Sequence, residues 1–125
     1  MASDTLEVLA ARLRDALVSH DLGRFGALLA DDARWGDDEA AHPCRSREEV
    51  VATFRRAIDS GASGEVVGVR TGPGGILLEL RVRWPPGAGR PDRDVFHLCR
   101  VREGRISEIE PFAERAAAQA ALAAR

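Results

Sequence analysis

Apolar residues recur at intervals of three and four over the first half of the chain and at intervals of two over the second. Leu6, Leu9, Leu13 and Leu17, with Val8 and Ala16 beside them, predict a helix from about Thr5 to about Ser19. Asp4 with Glu7 three residues on has capping-box spacing, with Asp in the usual place of Ser or Thr. His20-Asp21 breaks this helix. Asp21 then caps a short second helix through Phe25, Leu28 and Leu29, which Gly23 and Gly26 weaken and packing must hold. Asp31-Asp32 should end it, and Ala33–Gly36 reads as a brief strand. Ser46-Arg-Glu-Glu49 is a second capping box. It opens a third helix in which Val50, Phe54 and Ile58 repeat at four until Gly61 stops it.

Beyond a flexible connector the period changes. Glu65–Arg70 is a strand, Thr71-Gly-Pro-Gly-Gly75 is turn chemistry, and Ile76–Trp84 is the returning strand. Ile76, Leu78, Leu80, Val82 and Trp84 alternate there with Leu77, Glu79, Arg81 and Arg83, which gives one buried face and one wet face. The run from Pro85 to Pro91 cannot be strand. Arg93–Arg102 and Arg105–Phe112 are two further strands joined by Glu103-Gly104, a two-residue hairpin turn. Pairing across that turn sets Val101 opposite Ile106 and Cys99 opposite Glu108. The Ala-rich tail, 113–125, reads as a last helix or a frayed end. Helices first and four antiparallel strands afterwards place the chain in the α+β class. Leu77 and Leu98, set among charges on the wet face, mark an exposed sheet surface or the interface of a two-fold homodimer.

Length and composition narrow the function more than the fold. The 125 residues make a single domain, 1–125, large enough for one core. A net charge of −2 leaves no basic footprint for nucleic acid. No apolar run approaches the roughly 20 residues of a membrane span. The acidic start differs from a signal peptide, so a cytoplasmic protein is expected. In that compartment Cys44 and Cys99 default to free thiols. The glycine cluster before Ile76 is not a phosphate loop, because no Lys-Ser/Thr follows it.

The acids and imidazoles carry what chemistry there is. Asp31-Asp32 and Asp37-Asp38-Glu39 read first as solvated turn residues rather than as metal sites. His42 and Cys44 are two ligands without a third, so no metal and no cofactor is assigned. Alternation sets His97 with Val95, Cys99 and Val101 on an apolar face, and His titrates near neutral pH. The large aromatics Trp35, Phe54, Trp84 and Phe112 are pocket wall or core.

Leu28-Leu-Ala-Asp-Asp-Ala-Arg-Trp35, Arg45-Ser-Arg-Glu-Glu-Val50 and Val101-Arg-Glu-Gly-Arg-Ile-Ser-Glu-Ile109, in this order and spacing, resemble the nuclear-transport-factor-2-like superfamily. The likeness is to its SnoaL-like and ketosteroid-isomerase-like branches. It implies a cone-shaped α+β barrel, a curved antiparallel sheet wrapped on three N-terminal helices, with a hydrophobic pocket inside and dimers common. In the isomerase branch the base follows the first strand, which implies Asp37 here. The partner acid of that branch falls near Phe96 or His97, and the chain has no tyrosine to supply a phenol donor. His97 is then the auxiliary donor or acid. The cyclase members use an acid reached from the sheet, for which Glu110 and Glu114 are the candidates. The implied activity is a cofactor-free isomerase or cyclase of a small hydrophobic carbonyl compound. Alternatives are a ligand-binding dimer without chemistry, or a dimer whose cavity its own side chains fill.

Overall fold

A computed structural model describes residues 2–36 and 45–124. Helix α1 (Ala2–Val18) buries Leu9, Leu13 and Ala16, one face at helical spacing. It closes by a Schellman pair: Asp21 N–H donates to the Ala16 carbonyl at 2.9 Å and His20 N–H to that of Leu17 at 3.3 Å. Asp21 then caps α2 (Leu22–Ala27), its carboxylate accepting from Arg24 N–H at 3.0 Å.

Strand β1 (Leu29–Trp35) begins earlier than the sequence predicts, and Asp31 and Asp32 lie inside it rather than ending α2. The Leu28 carbonyl already accepts from Ile106 N–H at 2.8 Å, so the chain enters the sheet as it leaves the helix. An irregularity between Leu29 and Arg34 lets both acids face water, where arginines hold them. Helix α3 (Arg47–Asp59) has the expected cap: Glu49 N–H donates to Ser46 Oγ at 3.2 Å, and the Glu49 carboxylate reaches back to Arg45 N–H at 2.7 Å. Strands β2 (Ser63–Gly72), β3 (Gly75–Arg83), β4 (Arg93–Arg102) and β5 (Arg105–Phe112) follow, then α4 (Arg115–Ala123).

The sheet runs β1-β5-β4-β3-β2. The last four strands are antiparallel neighbours, as expected, but β1 lies parallel to β5, so the sheet is mixed rather than wholly antiparallel. The three-hairpin meander leaves the β5 edge open, and β1 fills it. The sheet curls without closing, with β1 and β2 as its edges. One face packs on α1–α3 through Ile76, Leu78, Leu80, Cys99, Ile106 and Ile109.

The opposite face is not a bare dimer surface. Leu77, Phe96 and Leu98 are buried there under Ala118 and Leu122 of α4. The tail is therefore a docked helix. The tip of the β2–β3 hairpin fixes its C-terminal end: Gly74 N–H donates to the Leu122 carbonyl at 2.7 Å.

One bulge matters more than the others. Val101 pairs with Ile106 as the sequence predicts, but Arg100 pairs with Glu108, so Ser107 is an extra residue in β5. Cys99 consequently faces Ile109 and not Glu108. The turn before it has φ of 54° at Glu103 and 78° at Gly104, the type I′ geometry that favours Asn-Gly. Glu103→Asn is expected to raise stability by about 0.5 kcal/mol. In urea unfolding the midpoint should rise with the slope unchanged; an unchanged or lowered midpoint would contradict the turn assignment.

Candidate functional site

The helix-side face of the sheet carries one column of rings. The Phe25 and Phe54 rings meet edge-on with centroids 4.6 Å apart. Phe54 stacks on Trp35 at 4.8 Å and 23°. Trp35 in turn meets His97 at 5.6 Å and 70°. Helix α2 supplies the first ring, α3 the second, the end of β1 the third and the middle of β4 the fourth. Pairing with β5 places the last two side by side. Trp35 is in register with Ile109, which also receives Gly36 N–H at 3.2 Å, and His97 lies opposite Pro111.

His97 is the polar group of this column. It is only 9% exposed, between Val95 and Cys99 on the face that sequence alternation assigns it. Its Nδ1 is buried and has no hydrogen-bond partner among the described residues. Burial pushes the imidazole pKa down to about 4, and the positive charge of Arg93 adds to the effect. The ring is therefore neutral at neutral pH, with one nitrogen a donor and the other an acceptor. An unpaired buried polar atom costs roughly 1–3 kcal/mol, so its persistence calls for an explanation. Cys99, one step along the same face, is fully buried and its thiol is pushed up to about 12 by desolvation, which leaves it inert.

The other predicted residues divide. Asp37 lies outside the described residues, as do Asp38, Glu39, His42 and Cys44. Trp35 and Phe54 are brought together, both half-buried. Trp84 stands apart in the segment after β3, where the Arg90 guanidinium lies 4.6 Å over its ring.

Glu110 and Phe112 do not belong to this face. Glu110 is in register with Leu98 and pairs with Arg100 at 3.1 Å, and Phe112 packs in the cluster under α4. Ser107 explains the error. In a straight strand Ile106, Glu110 and Phe112 would share a face; the extra residue turns Ile109 inward after Ile106 and sends Glu110 and Phe112 outward. Glu114 caps α4 by position only, without a side-chain hydrogen bond.

A charged cleft of about 530 Å³ lies at the other end of β1, among Asp31, Asp32, Arg47, Arg102, Glu103 and Arg105. Its acids are taken up by arginines, Asp31 by Arg47 and Asp32 by Arg102. The hydrogen bond from Arg102 holds the Asp32 carboxyl below the usual range. No helix among the described residues is long and apolar enough to cross a membrane.

Residues 10–109 match the model of the SnoaL-like domain. The chain belongs to the SnoaL-like family. No curated protein matches it in sequence. Among solved structures, the SnoaL-like fold recurs in an NTF2-like protein of unknown function from Mesorhizobium loti, with TM-score 0.73 and 18% identity over 91% of this chain and 94% of that one. It recurs in a candidate ketosteroid isomerase from Kribbella flavida, with TM-score 0.72 and 16% identity over 90% of this chain and 79% of that one. An LEH-like epoxide hydrolase from M. tuberculosis has TM-score 0.66 and 18% identity over 95% of this chain and 90% of that one. Likeness at these identities establishes the fold, and the chemistry must be argued from the site.

One charge that acts on the His97 ring was legible in the sequence. Arg93 precedes His97 by four, so simple alternation puts both on one face.

Proposed function

We propose that this SnoaL-like protein binds a small hydrophobic carbonyl compound beside Trp35 and His97 and moves a proton between two of its carbons without a cofactor. The observation that carries the reading is the buried His97 Nδ1, unpartnered among the described residues and set against an aromatic wall. Such an atom can be satisfied by a ligand oxygen or nitrogen.

Asp37 is the base in this scheme. Its carboxylate takes the proton from a carbon next to the carbonyl, and the C–H electron pair becomes the enolate double bond. Charge develops on the carbonyl oxygen, which accepts a hydrogen bond from the neutral His97 ring. Where the compound has a double bond one carbon beyond, the enolate extends over it; Asp37 then returns the proton to its far carbon, and the double bond moves into conjugation with the re-formed carbonyl. A neutral imidazole suits the donor role, because it polarises the oxygen without giving up its proton. Ring closure by attack of the same enolate on a second carbonyl of the compound is the cyclase version.

A second reading, a binding protein without chemistry, is supported by the Trp35–Phe54 stack, which already covers one face of the indole. One experiment separates them. Beta-tetralone in D₂O, followed by proton NMR, should exchange its α-protons faster with the protein than in buffer. The gain should fall by about 10²-fold in His97→Phe, as on removal of an oxyanion donor, and be lost in Asp37→Asn. Exchange no faster than in buffer, with the ketone still shifting the His97 and Trp35 signals, would defeat the enzyme and leave the binding protein.

A further inference from the structure

The row of β4 that carries His97 begins at an exposed cation. β4 pairs with β3 without a register shift from Arg93 opposite Val82, through Val95 opposite Leu80, to His97 opposite Leu78. Alternate residues share a face, so Arg93, Val95 and His97 stand in one row. Four strand residues separate the Cα atoms of Arg93 and His97 by about 13 Å. Arg93 is exposed, and its guanidinium has no hydrogen bond or ion pair among the described residues.

Arg70 and Arg105 are likewise exposed and without an ion pair among the described residues, but several strand arginines are held. Arg81 pairs with Asp94 at 3.0 Å, Arg83 with Glu65 at 3.6 Å and Arg100 with Glu110 at 3.1 Å. Asp94, the acid beside Arg93 in sequence, is thus engaged on the opposite face. Arg90, in the segment before β4, lies over the Trp84 ring. The row therefore runs from an apolar, aromatic floor to a guanidinium that no carboxylate pairs with among the described residues.

We infer that Arg93 is a specificity-determining residue and that the ligand is an organic anion, an apolar ring system with a carboxylate or an acidic enol at one end. The inference rests on the pocket reading above. The rings lie along Val95 and Trp35 with a carbonyl toward His97, and the anionic end meets Arg93 at the mouth. Guanidinium and carboxylate match as a two-point hydrogen-bonded pair, which a neutral ketone cannot form. The spacing suits a body of about two fused rings. The effect of the Arg93 charge on the His97 imidazole agrees with both facing one space.

The test compares two probes of one ring system, the naphthoate anion and methyl naphthyl ketone, titrated into the full chain. The readouts are the Trp35 indole N–H and the His97 ring signals in NMR. Naphthoate is expected to bind about tenfold more tightly than the ketone at low salt, and the advantage should shrink as salt is added. Arg93→Gln should erase the preference, Arg93→Lys should keep part of it, and Arg70→Gln, outside this row, should leave it intact. Equal affinity for the two probes, or a preference that survives Arg93→Gln, would overturn the role of Arg93 while the pocket stands. If neither probe moves the Trp35 and His97 signals, the pocket reading itself fails.

Discussion

Lowering the pH from about 7 to about 4 should destabilise the native chain by about 3 kcal/mol more than it destabilises the His97→Phe variant. The sign follows from where the protons go. The folded-state pKa of His97 lies at about 4 against an ordinary 6.5. As pH falls through 6.5 the unfolded chain takes up a proton on this ring and the folded chain does not. The unfolded state then binds more protons, and stability declines until the folded pKa is reached, below which this group adds nothing further. The ring is only 9% exposed, so solvent screening removes little of the effect. Every other titratable group is common to both proteins and cancels in the comparison. Phe occupies nearly the same ring volume and brings no polar atom into the Trp35 contact, so at pH 7 the variant should fold at least as stably. Urea unfolding of both proteins at a series of pH values measures the difference. Parallel stability profiles would mean that His97 titrates in water, and the neutral-donor role would go with it.

The same comparison bears on mechanism. A ring that is neutral across the physiological range cannot serve as an acid drawing on a stored proton. It can donate one hydrogen bond at a fixed place. With no tyrosine in the chain, that donor is what a developing enolate would find on this face. An anionic ligand deepens the requirement, because its fixed charge must sit away from the oxygen that becomes negative. In the proposed binding mode Arg93 would meet the fixed charge and His97 the developing one, two tasks divided along one strand.

How far the sequence reached can be read from particular residues. Ser46 with Glu49, and Val50, Phe54 and Ile58 at four, placed α3 because cap and stripe are both local. Alternation put His97 on the core side because β4 stays regular between Arg93 and Cys99. Ser107 defeated the same reasoning in β5. A bulge adds one residue without a composition signal, and each side chain beyond it changes face, which carried Glu110 and Phe112 away from the rings. The direction of β1 was not legible, since alternation is the same in parallel and antiparallel pairs. Leu77 and Leu98 misled for another reason. Their cover is an Ala-rich helix whose deeply buried side chains are Ala118 and Leu122, too few to announce an amphipathic stripe. The close approach of the β2–β3 turn helps to fix that helix, and close approach leaves a glycine in the sequence without saying what it approaches.

Glycine at the next position gives the largest single-site effect expected in the sheet. Gly75 has φ of +129°, and a Cβ built on it would lie 2.2 Å from the Cys99 carbonyl oxygen and 3.3 Å from Arg100 Cα. Those atoms are backbone of β4, held by the Ile76–Cys99 and Leu77–Leu98 register, so no rotamer change relieves the contact. Gly75→Ala must move the start of β3 away from β4 and adopt a φ that L-residues resist. The expected loss is about 3 kcal/mol or more. Gly64→Ala is the control, with nothing within 4 Å of its Cβ and no strained φ. It should be neutral or stabilising by about 0.5 kcal/mol, since alanine restricts the unfolded chain. Two readouts keep the prediction specific: the urea midpoint for stability, and the His97 ring signals for the β3–β4 register that seats His97 opposite Leu78. If the two variants were equally stable, β3 would not meet β4 at Cys99, and the row from Arg93 to His97 would have to be drawn on a different register. A large loss in Gly75→Ala alone ties the turn before β3 to the strand that carries both groups of the proposed site.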